Sequence, residues 1–185
     1  MERRNEMAFE FEKLEIDGTF RIKPKIFADE RGYFTETYKR SDFERVGIKA
    51  DFRQDNQSSS TKGVIRGLHF QREPYAQGKL VRVVKGMIFD VGVDLRKDSR
   101  TFGQYVSAIL SEENKEMLWI PEGFAHGFLA LEDSVVLYKA TGEYNKESEG
   151  GLIWNDPTVN IKWPAKPTEI SDKDKLWPSL SDLKL

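Results

Sequence analysis

The stretch Gly63–Val84, GVIRGLHFQREPYAQGKLVRVV, decides the predicted fold, because apolar and polar residues alternate on both sides of a segment containing Pro and Gly. Alternation over short runs is typical of β-strands that bury one face. The pattern predicts two antiparallel strands joined by a loop near Glu73–Gly78. Successive side chains of a strand point to opposite faces, so Arg66 and His69 should face opposite ways unless a bulge near Gly67 intervenes.

The same stretch holds three polar side chains of chemical interest. His69 is one of two histidines in the chain, and Arg66 and Lys79 lie on either side of it. A solvated charge is the ordinary interpretation of a lone Lys or Arg. Clustered cations without a run of acidic residues also suit phosphate groups or a developing oxyanion. We expect Arg66 and Lys79 to lie near His69 on adjacent strands.

The composition indicates one β-rich domain spanning residues 1–185. Hydrophobic residues make up 38% of the chain and aromatic residues 12%, with 12 Phe, which is enough for a sizeable core of strands. The 29 basic and 31 acidic residues leave a net charge of −2, which argues against a broad face for nucleic acid. The absence of cysteine excludes disulfides, thiolate metal ligands and cysteine nucleophiles.

No segment of the sequence predicts export or membrane insertion. The first residues, MERRNEMAFEFEKLEI, lack the continuous apolar segment of a secretory signal. No run approaches the ~20 apolar residues of a membrane span. We therefore expect a soluble, cytoplasmic protein.

Short alternating segments separated by turns predict about ten strands. Besides those of the opening stretch, the predicted strands lie on both sides of a turn within Phe9–Ile22 and at Tyr33–Tyr38, Met87–Leu95, Thr101–Ile109, Met117–Ile120, Gly127–Leu131 and Val135–Thr141. Many short strands at near-regular spacing are typical of a β-sandwich or barrel. We predict a mainly β fold, a jelly-roll barrel of the cupin kind, with an irregular C-terminal segment that folds back on the barrel.

Helices and loops are predicted at three places. Residues Arg40–Gly47 are expected to form a short helix, with Ser41 as its N-cap and Glu44 at the capping-box position. The polar segment within Phe52–Gly63 indicates a loop. One helical turn is expected at Ser171–Leu176.

The two histidines, His69 and His126, admit a structural, a metal-binding and an acid–base interpretation. In the structural one, neighbouring groups satisfy the ring nitrogens of each partly buried histidine. Many cupins bind a metal through an HxH…E motif and a later histidine, but Gly67 and Gln71 stand where the second histidine of that pair would be. Two histidines cannot supply the three protein ligands usual at a catalytic zinc, which argues against a metal site.

The acid–base interpretation requires a carboxylate that orients the imidazole of His69 and leaves its other nitrogen free to take a proton. Asp172 and Asp174 are the candidates, because the C-terminal segment could fold back over the barrel mouth. Tyr138 would by default be a barrel residue with a satisfied hydroxyl, and it could also donate a proton opposite a base. Gly-rich phosphate loops, GxSxG and HExxH are absent, so those reaction classes lose support.

The motifs DERGYF, FRQDNQSSS, GVIRGLHFQ, QGKLVRV, PEGFAHGF, LYK and SDKD are more specific together than alone. In this order and spacing the chain resembles the dTDP-4-dehydrorhamnose 3,5-epimerase family from about Phe9 to Leu176. The resemblance implies a metal-free, cofactor-independent cupin homodimer. It also implies an isomerase of dTDP-L-rhamnose biosynthesis that acts on dTDP-4-dehydro-6-deoxy-D-glucose.

The resemblance further implies the residues of the site. His69 matches the catalytic base and Asp174 the aspartate that orients it, with Asp172 as the alternative. Tyr138 matches the proton donor, and Lys79 matches the cation near the keto oxygen. The implied substrate contacts are Tyr144, which would stack on the thymine, and Arg31, Glu36, Gln54, Asp55, Asn56, Arg66, His126, Glu149 and Lys173.

Three alternatives remain open at this stage. An epimerase acting at one carbon, or a 3,4-ketoisomerase, would use a similar keto-sugar nucleotide and a histidine, and product analysis would separate them. A metal-dependent cupin oxygenase or isomerase would be revealed by metal analysis. A module that binds sugar nucleotides without catalysis would have no need of His69, Asp174 and Tyr138 together.

Overall fold

The computed structural model describes residues 7–185, which form fourteen strands and two short helices. The first sheet contains, in spatial order, β1 (Phe9–Lys13), β2 (Phe20–Pro24), β10 (Met117–Ile120), β7 (Lys79–Lys85), β12 (Ser134–Ala140) and β5 (Gln54–Ser60). The second contains β13 (Glu149–Gly151), β6 (Val64–Gln71), β11 (Phe124–Ala130), β8 (Met87–Asp94) and β9 (Tyr105–Ser111), with β14 (Glu169–Ile170) beside β6. A separate hairpin consists of β3 (Ile26–Asp29) and β4 (Gly32–Thr35), and the helices are α1 (Arg40–Arg45) and α2 (Asp172–Lys175).

The space between the two sheets is apolar at one end and polar at the other. Val81 and Val136 of the first sheet pack with Phe128 of the second in one cluster of buried side chains. Because side chains repeat every two residues along a strand, Lys79 shares the inner face with Val81, and Tyr138 shares it with Val136. The polar candidates therefore lie at one end of an otherwise apolar interior.

Both sheets are also covered on their outer faces. Helix α1 inserts the fully buried Phe43 among the aromatic residues outside the first sheet. The C-terminal segment packs Trp163 and Leu180 on the outside of the second sheet. This covering brings the short helix α2 against β6. Neither helix within residues 7–185 is long and apolar enough to cross a membrane.

The predicted hairpin within Gly63–Val84 is wrong, although both of its strands exist. Strand β6 pairs with β11, β13 and β14 in the second sheet, whereas β7 pairs with β10 and β12 in the first. Arg66 and Lys79 therefore project from opposite sheets and not from adjacent strands. Alternation of apolar and polar residues indicates that a strand buries one face, but it does not determine which strand pairs with it.

Predictions for one loop and for the cap of one helix are also wrong. The segment predicted as a loop at Phe52–Gly63 contains β5, which pairs along its whole length with β12. Its polar residues fit a strand because the interior is polar at this end. The N-cap of α1 is Lys39, without a side-chain hydrogen bond, and not Ser41. Glu44 does not complete a capping box, since it forms an ion pair with Arg40 at 2.9 Å.

Other local predictions are confirmed with small shifts. Gly47 follows the end of α1 with a φ of +91°, in the left-handed region that glycine adopts readily. Helix α2 forms where one turn was expected, and the Ser171 hydroxyl caps it by accepting from the Asp174 N–H. Strand β11 begins at Phe124, so His126 lies inside the strand and not ahead of it.

A bulge in β6 determines the direction of His69. His126 of β11 is opposite His69, and Phe128 is opposite Arg66, so β6 has one more residue than β11 between these two pairs. Arg66 and His69 consequently face the same side. Gly67 lies in the bulge with a φ of +118°, and a Cβ added there would be 2.6 Å from the Cα of Gly127. The bulge therefore requires glycine.

We expect Gly67→Ala to lower the free energy of unfolding by roughly 2–4 kcal/mol, because it combines an unfavourable φ with a clash against backbone. Urea denaturation measures the loss. Gly47→Ala is the matched control, since its φ is also positive and no atom lies within 4 Å of the added Cβ. That control should cost about 1 kcal/mol. Equal losses in the two variants would contradict a special role for the close approach to Gly127.

Candidate active site

The C-terminal segment places Asp174 against His69. Asp174 Oδ1 lies 2.6 Å from His69 Nε2. Because an ionised carboxylate only accepts, Nε2 carries the hydrogen, and Nδ1 of the neutral ring is unprotonated. Asp174 is buried, whereas the His69 side chain is 34% exposed. One ring nitrogen is thus held by the carboxylate and the other can accept a proton.

Several donors hold the Asp174 carboxylate in place. The backbone N–H of Gly67 donates to Oδ2 at 3.2 Å, and the indole N–H of Trp177 donates to Oδ1 at 3.1 Å. Burial would raise the pKa of Asp174, but the hydrogen bond to His69 and those from the other donors bring it below its ordinary value. The carboxylate therefore stays ionised near neutral pH.

Asp172, the alternative partner of His69, lies on the solvent side of α2. Its side chain is 98% exposed and forms an ion pair with Lys175 at 3.0 Å. A residue in this position orients nothing in the barrel. The structure joins His69 to Asp174 and not to Asp172.

His69 and Asp174 border a cavity of about 430 Å³ beside β6. Arg66 lines the same cavity, and its guanidinium donates to the Ser60 hydroxyl and the Ser59 carbonyl, each at 2.8 Å. A larger cavity of about 640 Å³ lies near Trp119 on the outer side of the first sheet, but none of the predicted site residues lines it. We place the candidate site at the smaller cavity, because it combines the histidine–carboxylate pair with a cation.

A second histidine–carboxylate pair lies inside the barrel. His126 Nε2 is 2.7 Å from Asp90 Oδ1, and both side chains are buried. Burial lowers the pKa of His126, and the neighbouring carboxylate of Asp90 opposes this effect without cancelling it. His126 is therefore uncharged near neutral pH. Among the described residues, Oδ2 of Asp90 has no hydrogen-bond partner.

Lys79 and Tyr138 complete the polar end of the interior. The Lys79 ammonium lies 5.9 Å from the centre of the Tyr138 ring, which in turn is 6.4 Å from the His126 ring. Burial lowers the pKa of Lys79 to about 8, although Asp90 and Glu149 favour its charged form. Burial raises the pKa of Tyr138. Near pH 7 this end of the barrel thus contains a cation and a protonated phenol.

A polar network joins five further predicted residues at the edge of the site. The Tyr144 hydroxyl donates to Glu149 at 3.1 Å, and Glu149 forms an ion pair with Lys173. The Tyr144 backbone N–H donates to the Gln54 side-chain oxygen at 2.8 Å, and Gln54 donates to Asn56 at 2.8 Å. The exposed ring of Tyr144 is therefore tied to both β5 and β13.

Three predicted residues lie apart from this network. Arg31 is 85% exposed in the turn of the β3–β4 hairpin, where it pairs with Asp29. Asp55 is exposed and pairs with Lys139 at 3.0 Å. Glu36 is partly buried, and its Oε2 is a buried atom without a partner among residues 7–185. The structure does not bring these three residues to His69.

Sequence reasoning missed Asp90 and Trp177. The signal for Asp90 is a carboxylate inside the apolar strand sequence MIFDVGVDL, where burial of a charge is costly unless a partner is present. No sequence pattern indicates the contact of Trp177 with Asp174, because it depends on how the C-terminal segment folds back.

The described residues include no group of three or more His, Asp or Glu side chains arranged to hold a metal ion. Each histidine instead directs one nitrogen to a single carboxylate. A histidine held by a carboxylate, a buried cation and a protonated phenol can together remove and return a proton next to a polarised carbonyl group. The arrangement thus supports acid–base chemistry.

The two facing sheets, with ionisable groups at one end of the space between them, define a protein of the cupin jelly-roll fold, as predicted. The chain belongs to the dTDP-4-dehydrorhamnose 3,5-epimerase family, whose family model matches residues 13–182. The predicted enzyme class, a carbohydrate epimerase among the isomerases, is confirmed.

Relatives support this membership over most of the chain. The dTDP-4-dehydrorhamnose 3,5-epimerase of Shigella flexneri is 55% identical over 88% of this chain and 91% of its own length. The crystal structure of the corresponding enzyme from Sulfolobus tokodaii has a TM-score of 0.90 and 52% identity, covering 97% of this chain and 99% of that one. The Legionella pneumophila dTDP-6-deoxy-D-glucose-3,5-epimerase, in complex with dTDP-4-keto-L-rhamnose, has a TM-score of 0.91 and 45% identity, with 95% coverage of both chains.

We expect Asp90→Asn to lower the pKa of Lys79 below its value of about 8, because it removes a negative charge that favours the ammonium form. The change should be roughly one pH unit. NMR titration of ¹³C-dimethylated lysines measures it, and Lys79→Arg assigns the resonance. Asp55→Asn is the control, since Asp55 is exposed and pairs with Lys139. An unaltered Lys79 titration in Asp90→Asn would contradict this electrostatic coupling.

Proposed function

We propose that the chain converts dTDP-4-dehydro-6-deoxy-D-glucose to dTDP-4-dehydro-L-rhamnose by inverting carbons 3 and 5 without a cofactor. The observation that supports this most directly is His69 on the second sheet, held by Asp174 of α2, with Lys79 and Tyr138 on the inner face of the first sheet. Acid and base are thus supplied from opposite walls of one interior. Family membership supplies the substrate class.

The first step is removal of a proton next to the ketone. The carbonyl at carbon 4 acidifies the hydrogens on carbons 3 and 5, because loss of either leaves an enolate. Neutral His69 takes the proton on Nδ1, since Nε2 is engaged with Asp174. The ionised Asp174 then stabilises the imidazolium that forms.

The enolate oxygen requires a positive neighbour. Lys79 is that neighbour, because it is buried and still largely charged near pH 7, whereas burial keeps His126 neutral. One such donor typically lowers the barrier by ~3 kcal/mol. Tyr138 returns a proton from the opposite wall, and general acid–base groups contribute roughly 100- to 10,000-fold each.

The nucleotide part of the substrate would occupy the more open side of the site. Arg66 lines the same cavity as His69 and suits the diphosphate oxygens. Tyr144 offers an exposed ring for the thymine. The remaining proposed contacts are Gln54, Asn56, His126, Glu149 and Lys173, together with Arg31, Glu36 and Asp55, which the structure does not bring to the cavity.

A homodimer is part of the proposal. The β3–β4 hairpin exposes Phe27, Tyr33 and Phe34 at 57%, 60% and 64% of their surface. Grouped aromatic residues on a hairpin outside both sheets are typical of an interface. A second copy covering this hairpin would also give Arg31 a route to the neighbouring site. We place the enzyme in the cytoplasm without a nucleic-acid partner, in line with its nearly balanced charge.

Solvent-deuterium exchange tests the proposed reaction. In D₂O the unmodified chain should introduce deuterium at both carbon 3 and carbon 5 of the keto-sugar nucleotide, as measured by NMR. His69→Asn should abolish exchange at both positions, because the asparagine amide cannot act as a base. Asp172→Asn should retain exchange, since Asp172 is exposed and does not contact His69.

Each other outcome of this exchange assay has a defined meaning. Label at one carbon alone would indicate a single-site epimerase. Exchange that persists in His69→Asn would remove His69 from its proposed role. Movement of the keto group along the ring would identify a ketoisomerase.

We expect Phe27→Glu combined with Phe34→Glu to raise the dissociation constant of the dimer roughly tenfold or more, because it places charge in an aromatic contact. Sedimentation velocity over a concentration series measures the effect. Ile109→Glu, an exposed apolar residue on β9, is the control and should leave the assembly unchanged. A dimer of unaltered affinity in the double variant would place the interface elsewhere.

A further inference from the structure

Trp177 contacts the same carboxylate oxygen that holds His69. It lies two residues after the end of α2, and its indole N–H donates to Asp174 Oδ1 at 3.1 Å. His69 Nε2 lies 2.6 Å from that oxygen. A carboxylate oxygen has two lone pairs, so these two donors saturate Oδ1. The indole therefore competes with the imidazole for the charge on one atom.

Packing keeps the indole in this position. A Cβ added to Gly151 of β13 would lie 2.2 Å from Cδ2 of Trp177, so the ring rests directly on the backbone there. Gly151 is opposite His69 in the sheet register. The carbonyl of Pro178 accepts from the Ile153 N–H at 2.9 Å, which fixes the residue after the indole. The N–H is thus aimed by contacts that do not involve Asp174.

We infer that Trp177 is a positioning residue that holds Asp174 Oδ1 in line with His69 and limits how tightly the carboxylate binds the imidazolium. The inference rests on the proposed role of His69 as the base. Removing the N–H would leave more negative charge on Oδ1 for the imidazolium alone. Asp174 would then hold the protonated ring more tightly.

Removal of the indole N–H neither adds nor deletes a charge among the other ionisable groups near this pair. They are Arg66 on β6, His126 on β11, Glu149 on β13, Glu169 on β14, and Lys173 on α2, whose ammonium lies 5.5 Å from the indole ring centre. Because their charges stay the same, a shift in the acidic limb of the pH profile of kcat/KM would report on the hydrogen bond from Trp177 to Asp174.

The pH dependence of kcat/KM tests the inference. Trp177→Phe retains an aromatic ring and removes the N–H, so the acidic limb should move upward by about half a pH unit. The value of kcat/KM near neutral pH should fall about three- to tenfold, because Asp174 is less well held. Trp177→Gln supplies a new N–H donor without the ring and should return the limb toward its original position.

Trp163→Phe is the matched control. Its indole N–H donates to the Trp154 carbonyl at 2.9 Å, on the same C-terminal segment and away from Asp174. This variant should lose a similar amount of stability in urea and keep the original pH profile. If Trp177→Phe loses stability but its profile coincides with that of the unmodified enzyme, Trp177 is only structural and the inference fails.

A second readout does not depend on activity. The imidazole N–H bonded to Asp174 should give a low-field proton resonance in water, assigned by its loss in His69→Asn. Its position should change in Trp177→Phe and not in Trp163→Phe. An unchanged resonance in both would overturn the inference, whereas a shifted resonance in a chain without epimerase activity would overturn only the proposed function.

Discussion

The hydrogen bond between His69 and Asp174 is the interaction on which the site depends. It joins a strand of the second sheet to a short helix 105 residues later in the chain. Its geometry rests on the bulge at Gly67, which turns the imidazole toward the cavity and also provides a backbone donor for Asp174. The close passage of Gly127 leaves no room for a side chain at Gly67. The same bulge therefore determines both how β6 packs against β11 and which way His69 points.

The polar end of the interior illustrates how buried charge is tolerated when it is shared. Lys79 and Asp90 are both buried, and each lowers the cost of the other. His126 stays neutral between them and binds one oxygen of Asp90. Among Lys79, Asp90 and His126, only Lys79 carries positive charge near pH 7, and a positive neighbour is what a developing enolate requires. The apolar end, with Val81 and Phe128 in its core, supplies the rigidity that keeps these groups in place.

Local patterns predicted most of the strands but not how they pair. Apolar and polar residues alternate in β6 and β7 as strongly as in any hairpin, yet the two strands belong to different sheets. The alternation indicates that one face of each strand is buried, but it does not indicate which strand lies beside it. Strand β5 was missed since its inner face looks into the polar end, so apolar residues were not needed there. The pairing of His69 with Asp174 was predicted by resemblance, together with the expectation that the C-terminal segment folds back. Asp90 escaped notice because its partner is 36 residues away and no motif links them.

The separation of His69 from its carboxylate has a consequence for how the protein is made. A ribosome must add more than a hundred residues after His69 before it reaches Asp174. A chain that stopped short of Asp174 would lack the carboxylate that holds Nε2 of the His69 imidazole.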